Sequence, residues 1–117
     1  SVRKMRLLIL FILTPWILSS ENEINEAWCL AIGGNDQYIT KYGTYVDCLT
    51  EQYAIETEFD YKWKEAIGQS LHYAEATNKK AAILLIKRKK SNKNYYNELM
   101  NVINKYDLPI KVFLIDE

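Results

Sequence analysis

Residues 53–86 read YAIETEFDYKWKEAIGQSLHYAEATNKKAAILLI, and this segment predicts a strand, a helix and a second strand at the centre of the fold. Tyr53 to Phe59 is rich in strand-forming residues, and Asp60 can cap a helix that runs to about Thr77. Ala81 to Ile86 is a continuous apolar run of strand length, as expected for a strand covered on both faces. Because a helix joins the two strands, the second can lie parallel to a neighbouring strand of one sheet.

The segments on either side add further elements. Helical spacing of Ile24 and Trp28 predicts a first helix, and short runs rich in Tyr, Val, Ile and Thr predict two strands after it. The predicted elements beyond residues 53–86 are a helix at 21–32, strands at 37–41 and 43–49, a helix at 92–106 and a strand at 110–115. The order α-β-β-β-α-β-α-β predicts one α/β domain with a mixed sheet.

Length and charge limit the possible functions. A chain of 117 residues, 49% hydrophobic and 26% charged, has room for one domain and is too apolar to be disordered. The 15 basic and 15 acidic residues cancel, which argues against a protein that coats nucleic acid non-specifically. Arg3, Lys4 and Arg6 lie in residues 1–20, so residues 21–117 hold 12 basic and 15 acidic groups, a net charge of −3.

The first twenty residues have the layout of a secretory signal peptide. A basic start precedes the twelve-residue apolar run Leu7–Leu18, and Ser19-Ser20 follows it. The run is shorter than the roughly 20 residues of a membrane span and contains Pro15. We therefore expect residues 1–20 to be removed and residues 21–117 to be exported to the periplasm or outside a bacterial cell. An uncleaved anchor or a buried helix is the alternative.

Cys29 and Cys48 are the only cysteines. An oxidising compartment would permit a disulfide between them, worth roughly 3 kcal/mol for a loop of this length. Two buried free thiols are the alternative. A zinc site is disfavoured, because two cysteines need histidine partners and His72 is the only histidine.

Acidic residues gather on one predicted hairpin. A turn centred on Glu51-Gln52 would pair Cys48 with Ile55 and Asp47 with Glu56. Two facing carboxylates repel, and a divalent cation such as Mg²⁺ would remove that penalty. A solvated acidic face is the alternative. The expected faces of the hairpin are Val46, Cys48, Ile55 and Thr57 on one side, and Asp47, Glu56 and Glu58 on the other.

The following helix carries polar side chains beside its apolar stripe. At 100° per residue, Lys62, Gln69 and Tyr73 fall close to one line. A lysine, an amide and a phenol next to carboxylates are suited to holding a phosphate group. The alternative is that Gln69 and Tyr73 only border the core.

Together, these residues resemble the PD-(D/E)XK nuclease superfamily. Asp47, the Glu56-Thr-Glu58 segment and the Gln69-Ser-Leu-His-Tyr73 segment are similar to its acidic pair and to the Gln-x-x-x-Tyr element of RecB-type nucleases. The stretch Tyr53–Ala74 looks closest to small exported bacterial members. The resemblance covers about residues 26–115, and it implies a restriction-endonuclease-like three-layer α/β/α core.

The resemblance also implies site residues. Asp47 and Glu56 would bind the metal, with Glu26 as a further ligand, and Gln69 and Tyr73 would position the nucleic-acid backbone or a water. The sequence departs from the family at Glu58, which stands where the motif lysine belongs. Lys62, on the following helix, is the expected substitute.

The function implied by the resemblance is metal-dependent hydrolysis of phosphodiester bonds in DNA or RNA. Mg²⁺ or Mn²⁺ on the acidic pair would activate a water, Lys62 would orient it, and Glu58 would serve as an extra ligand or base. The nucleic-acid substrate would be attracted by a basic run, for which a solvated loop is the alternative reading: Lys87, Arg88, Lys89 and Lys90.

Two other functions compete with the nuclease. Glu58 in the lysine position favours a catalytically degenerate nuclease-fold protein that binds nucleic acid or a protein partner. An unrelated exported domain, for example an envelope interaction factor, is the third hypothesis.

Overall fold

The computed structural model describes residues 20–90 and 92–117, and in these ranges the elements follow the predicted order. A single-turn 3-10 helix, Asp60–Lys62, precedes the second α-helix. The elements are α1 (Glu21–Ala31), β1 (Asn35–Ile39), β2 (Tyr45–Leu49), β3 (Tyr53–Phe59), α2 (Trp63–Thr77), β4 (Lys80–Lys87), α3 (Tyr95–Lys105) and β5 (Ile110–Asp116).

The five strands form one mixed sheet in the order β1-β2-β3-β4-β5. Strand β2 is antiparallel to both β1 and β3, whereas β3, β4 and β5 run parallel because α2 and α3 connect them as crossovers. Cys48 pairs with Ile55, which is the predicted hairpin register. The α/β class and the mixed sheet are confirmed, and the restriction-endonuclease-like layering stays a prediction.

Strand β4 is buried on both faces, as its apolar run predicts. Its residues from Ala81 to Ile86 are at most 3% exposed. Ile83 and Leu85 pack into a cluster with residues of α2 and α3, while Leu84 packs with Cys29 of α1. Helices therefore cover the sheet from both sides.

A disulfide between Cys29 and Cys48 ties α1 to β2, with an S–S distance of 2.06 Å. Gly34 lies against it, because its N–H donates to the Cys29 carbonyl at 2.8 Å. A Cβ atom at Gly34 would lie 2.7 Å from Cys29 Sγ and closer still to Cys48 Sγ. Only glycine therefore fits between the end of α1 and the disulfide.

The ladder between β1 and β2 is interrupted in the middle of both strands. Register pairs join Asp36 to Cys48 and Tyr38 to Val46, and Gln37 between them has a φ of 57°. Beyond this interruption, Val46 packs with Ala54 and Tyr73, whereas Cys48 packs with Ile55. The prediction that Val46 and Cys48 share a face is wrong, because the regular alternation breaks at Asp47.

The predicted signal peptide lies outside the described residues, except for Ser20. The Ser20 hydroxyl accepts a hydrogen bond from the Glu23 N–H at 3.2 Å and so caps α1. No helix within residues 20–90 and 92–117 combines the length and the hydropathy needed to cross a bilayer.

Candidate functional site

The predicted acidic residues come together beneath α2. Glu56 and Glu58 of β3 are buried, at 3% and 6% exposed, and Asp47 of β2 is half-buried. Asp47 and Glu58 both lie close enough to the Glu56 side chain to raise its pKa. We call Asp47, Glu56 and Glu58 the carboxyl cluster.

Asp47 uses both carboxylate oxygens within the sheet. Its Oδ2 accepts from the Thr57 backbone N–H at 2.8 Å, and its Oδ1 accepts from Gln37 Nε2 at 3.2 Å. These bonds lie where the ladder is interrupted, so the side chain replaces a missing backbone partner. The Asp47 carboxylate therefore holds β1 and β3 together.

Burial changes the protonation of the cluster. Burial, and then the adjacent Asp47, raises the pKa of Glu56 to about 11. Burial and the nearby Glu21 raise the pKa of Glu58 to about 8, while Lys62 lowers it. Glu56 is therefore protonated at neutral pH, so it donates a hydrogen bond to Asp47 instead of repelling it.

Asn25 completes this centre, although the sequence analysis did not single it out. Asn25 is 1% exposed, and its Nδ2 donates to the Asp47 carbonyl at 2.9 Å. The Thr57 hydroxyl donates to Asn25 Oδ1. A signal was present in the sequence: Asn25 precedes Cys29 by one helical turn, so a disulfide from Cys29 to Cys48 turns this face of α1 toward β2.

The residues predicted on α2 are only partly brought to the cluster. Tyr73 is 9% exposed, and burial together with Glu56 raises its pKa. Lys62 is exposed but close enough to lower the pKa of Glu58. Gln69 is exposed and lies outside the buried face of the helix.

The metal site predicted from Asp47, Glu56 and Glu26 is not assembled. Among residues 20–90 and 92–117, no group of three or more His, Cys, Asp or Glu side chains is arranged to hold a metal ion. Asp47 is already engaged by Gln37 and Thr57. The described residues therefore give this metal site no support, and binding of Mg²⁺ or Mn²⁺ by Asp47, Glu56 and Glu26 stays an untested prediction.

We call residues 87–90 the basic loop; they begin at the last residue of β4, at the carboxyl end of the parallel strands. Arg88 Nε forms an ion pair with Glu117 Oε2 at 3.2 Å, and its guanidinium lies 4.5 Å from the centre of the Phe59 ring. Lys87, Lys89 and Lys90 are exposed. Glu117 thus offsets one of the four predicted charges, and three exposed lysines remain.

Substituting Glu56 by glutamine should reduce the dependence of stability on pH. Since the pKa of Glu56 rises from 4.5 to about 11 on folding, the folded state retains a proton that the unfolded chain loses above about pH 4.5. Stability should therefore fall as the pH rises from 5 toward 8, and Glu58 acts in the same direction. Glutamine stays neutral, so at pH 8 the variant should be more stable than the wild type by about 1 kcal/mol or more.

Urea denaturation at pH 5 and pH 8 measures this difference. Glu51→Gln is the matched control, because Glu51 is exposed and should leave the pH dependence unchanged. An equal loss of stability between the two pH values in the wild type and in Glu56→Gln would show that Glu56 does not hold the proton.

Fold and site together define an α/β domain with a largely buried carboxyl cluster and a basic loop at the carboxyl end of its parallel strands. Neither a family model nor a solved structure matches the chain. Two proteins of Acanthamoeba polyphaga mimivirus do match. The chain is 36% identical over 94 residues to the putative KilA-N domain-containing protein L33, a match that covers 80% of this chain and 37% of that protein.

The second relative is the putative KilA-N domain-containing protein R878, also of mimivirus. It is 36% identical over 74 residues, which cover 63% of this chain and 20% of the relative. The chain thus spans little more than a third of the first relative and a fifth of the second.

These relatives correct the assignment made from the sequence motifs. They are named for KilA-N domains and come from a virus, so the identification as a bacterial PD-(D/E)XK nuclease is wrong. The metal-dependent hydrolysis by Asp47, Glu56 and Lys62 that this identification implied is therefore also wrong. Export and the signal peptide have no support from these comparisons and stay predictions.

Proposed function

We propose that this chain is a DNA-binding domain that does not cut its ligand. The similarity to two KilA-N domain-containing proteins carries the proposal, because KilA-N domains bind nucleic acid. Nucleic-acid binding without hydrolysis was the alternative favoured by Glu58, which stands where a nuclease would need a lysine.

The closed carboxyl cluster supports the absence of hydrolysis. Asp47 joins β1 to β3, and the protonated Glu56 lies beside it, so both side chains stabilise the sheet. Nuclease chemistry at this point would need carboxylate oxygens free to hold a metal ion. In the proposed function, the cluster is a structural centre beneath α2, with α1 on the other face of the sheet.

The basic loop is the proposed surface for the DNA backbone. Lys87, Lys89 and Lys90 are exposed, and the loop leads into α3, whose N-terminus is capped by Asn94. Lysines and a helix N-terminus both favour phosphate groups. Because residues 21–117 carry a net charge of −3, a local surface of this kind is needed to attract a polyanion.

Replacing Lys89 and Lys90 together by alanine should weaken DNA binding at all sequences. If each lysine contacts one phosphate, the slope of log affinity against log salt should become shallower by about 2. Fluorescence anisotropy with a labelled DNA at several salt concentrations gives this slope.

The control is Lys105→Ala with Lys111→Ala. Both lysines are exposed, and they lie away from the basic loop, in the last turn of α3 and at the start of β5. This variant loses the same charge and should keep the wild-type slope. A slope that changes equally in both double variants would place the DNA elsewhere.

A further inference from the structure

A small cavity opens at the carboxyl ends of the parallel strands. Its volume is about 170 Å³, and it lies between the ends of β3 and β4, the first turn of α3 and the basic loop. In open α/β sheets, ligands bind at this edge of the parallel strands. The residues that line it include Asp60, Lys87, Lys93, Asn94, Tyr95 and Tyr96.

Asp60 is one of the residues that line this cavity. The residue is 2% exposed, and its Oδ1 has no hydrogen-bond partner within residues 20–90 and 92–117. A buried polar atom without a partner is costly and rare in folded proteins. A ligand that donates a hydrogen bond to Asp60 would remove this cost.

The rim of the cavity favours anionic groups, in contrast to the acidic side chain of Asp60. Lys87 and Lys93 line it, although Lys93 also pairs with Glu98 at 3.8 Å. Asn94 caps α3, so the positive end of that helix faces the same place. Tyr95 and Tyr96 add aromatic surface. The expected ligand therefore combines an anionic group, a planar ring and a hydrogen-bond donor.

A nucleotide with an amino group on its base has all three features. Carboxylates accept hydrogen bonds from the 4-amino group of cytosine, whereas thymine presents a carbonyl oxygen at that position. The small volume of the cavity favours a single-ring base. Because Asp60 is buried, a base still paired in a duplex would not reach it.

We infer that this cavity receives one unpaired cytosine of a DNA strand, with its amino group on Asp60 Oδ1 and its phosphate near Lys87 and Lys93. The inference rests on the proposed DNA-binding function and adds a base preference to it. The basic loop holds the backbone, and Asp60 reads the base.

The test compares oligo-dC with oligo-dT of equal length, using the full oxidised chain and fluorescence anisotropy. The wild type should bind oligo-dC about tenfold more tightly. Asp60→Asn should lose most of this preference, because an amide can also donate to the thymine carbonyl. Thermal unfolding of the variant checks that it is folded.

Asp107→Asn is the matched control. Asp107 is exposed, and asparagine suits its φ of 51°, so this variant changes the charge equally and should keep the preference. Equal binding of both oligonucleotides by the wild type, or a preference retained in folded Asp60→Asn, would overturn the inference while leaving DNA binding intact. Absence of binding to either oligonucleotide and to duplex DNA would instead refute the proposed function.

Discussion

Replacing Cys29 and Cys48 together by alanine should lower the free energy of unfolding by at least about 3 kcal/mol. The disulfide closes a loop with a sequence separation of 19, which restricts the unfolded chain. Both cysteines are fully buried, so their removal also leaves unfilled volume between α1 and the sheet. The midpoint of urea denaturation measures the effect.

Reduction provides the control for this variant. A reducing agent should destabilise the wild type by a similar amount and leave the double alanine variant unchanged. Equal denaturation midpoints for the oxidised wild type and the variant would show that the link between α1 and β2 contributes nothing to stability.

Gly34→Ala should destabilise the protein by about 2 kcal/mol or more. The added methyl group would overlap the sulfur atoms of Cys29 and Cys48, so the end of α1 or the disulfide would have to move. Gly34 has no positive φ that would strain alanine, so the whole cost comes from this contact.

Two further variants isolate the contact. Gly68→Ala is the control, because Gly68 is an exposed helical residue with open space around its Cβ position, and alanine there should stabilise by about 0.5–1 kcal/mol. In a background without the two cysteines, Gly34→Ala should lose most of its cost. An undiminished cost in that background would mean that another contact is responsible.

Local pattern was sufficient to predict the elements of the sheet. The run Tyr53–Phe59 gave the bounds of β3, and the turn at Glu51-Gln52 gave the pairing of Cys48 with Ile55. Both depend on residues close in sequence. The face on which Val46 lies was predicted wrongly because Asp47 bonds to Thr57, which is ten residues away in sequence. The alternation of side chains along a strand does not reveal such a bond.

The candidate site shows a different limit. The predicted register of the hairpin is correct, and it brings Asp47 near Glu56 and Glu58. The register did not reveal their chemistry, because the sequence does not distinguish carboxyl groups that bind a metal ion from carboxyl groups that are buried and protonated. Burial distinguishes these two kinds of site, and here it comes from α1 and α2, which are distant in sequence from parts of the cluster. The ion pair between Arg88 and Glu117 also joins residues that are far apart in sequence, so local pattern could not predict it.

The measurement that tests the account most directly follows the binding and the length of one labelled DNA together. The full oxidised chain is incubated with single-stranded DNA and with duplex DNA, in EDTA and in Mg²⁺, with Asp47→Ala prepared in parallel. The account predicts binding in both buffers, with the DNA intact throughout. Shortening of the DNA that requires Mg²⁺ and disappears in Asp47→Ala would contradict it, as would a folded chain that binds neither DNA.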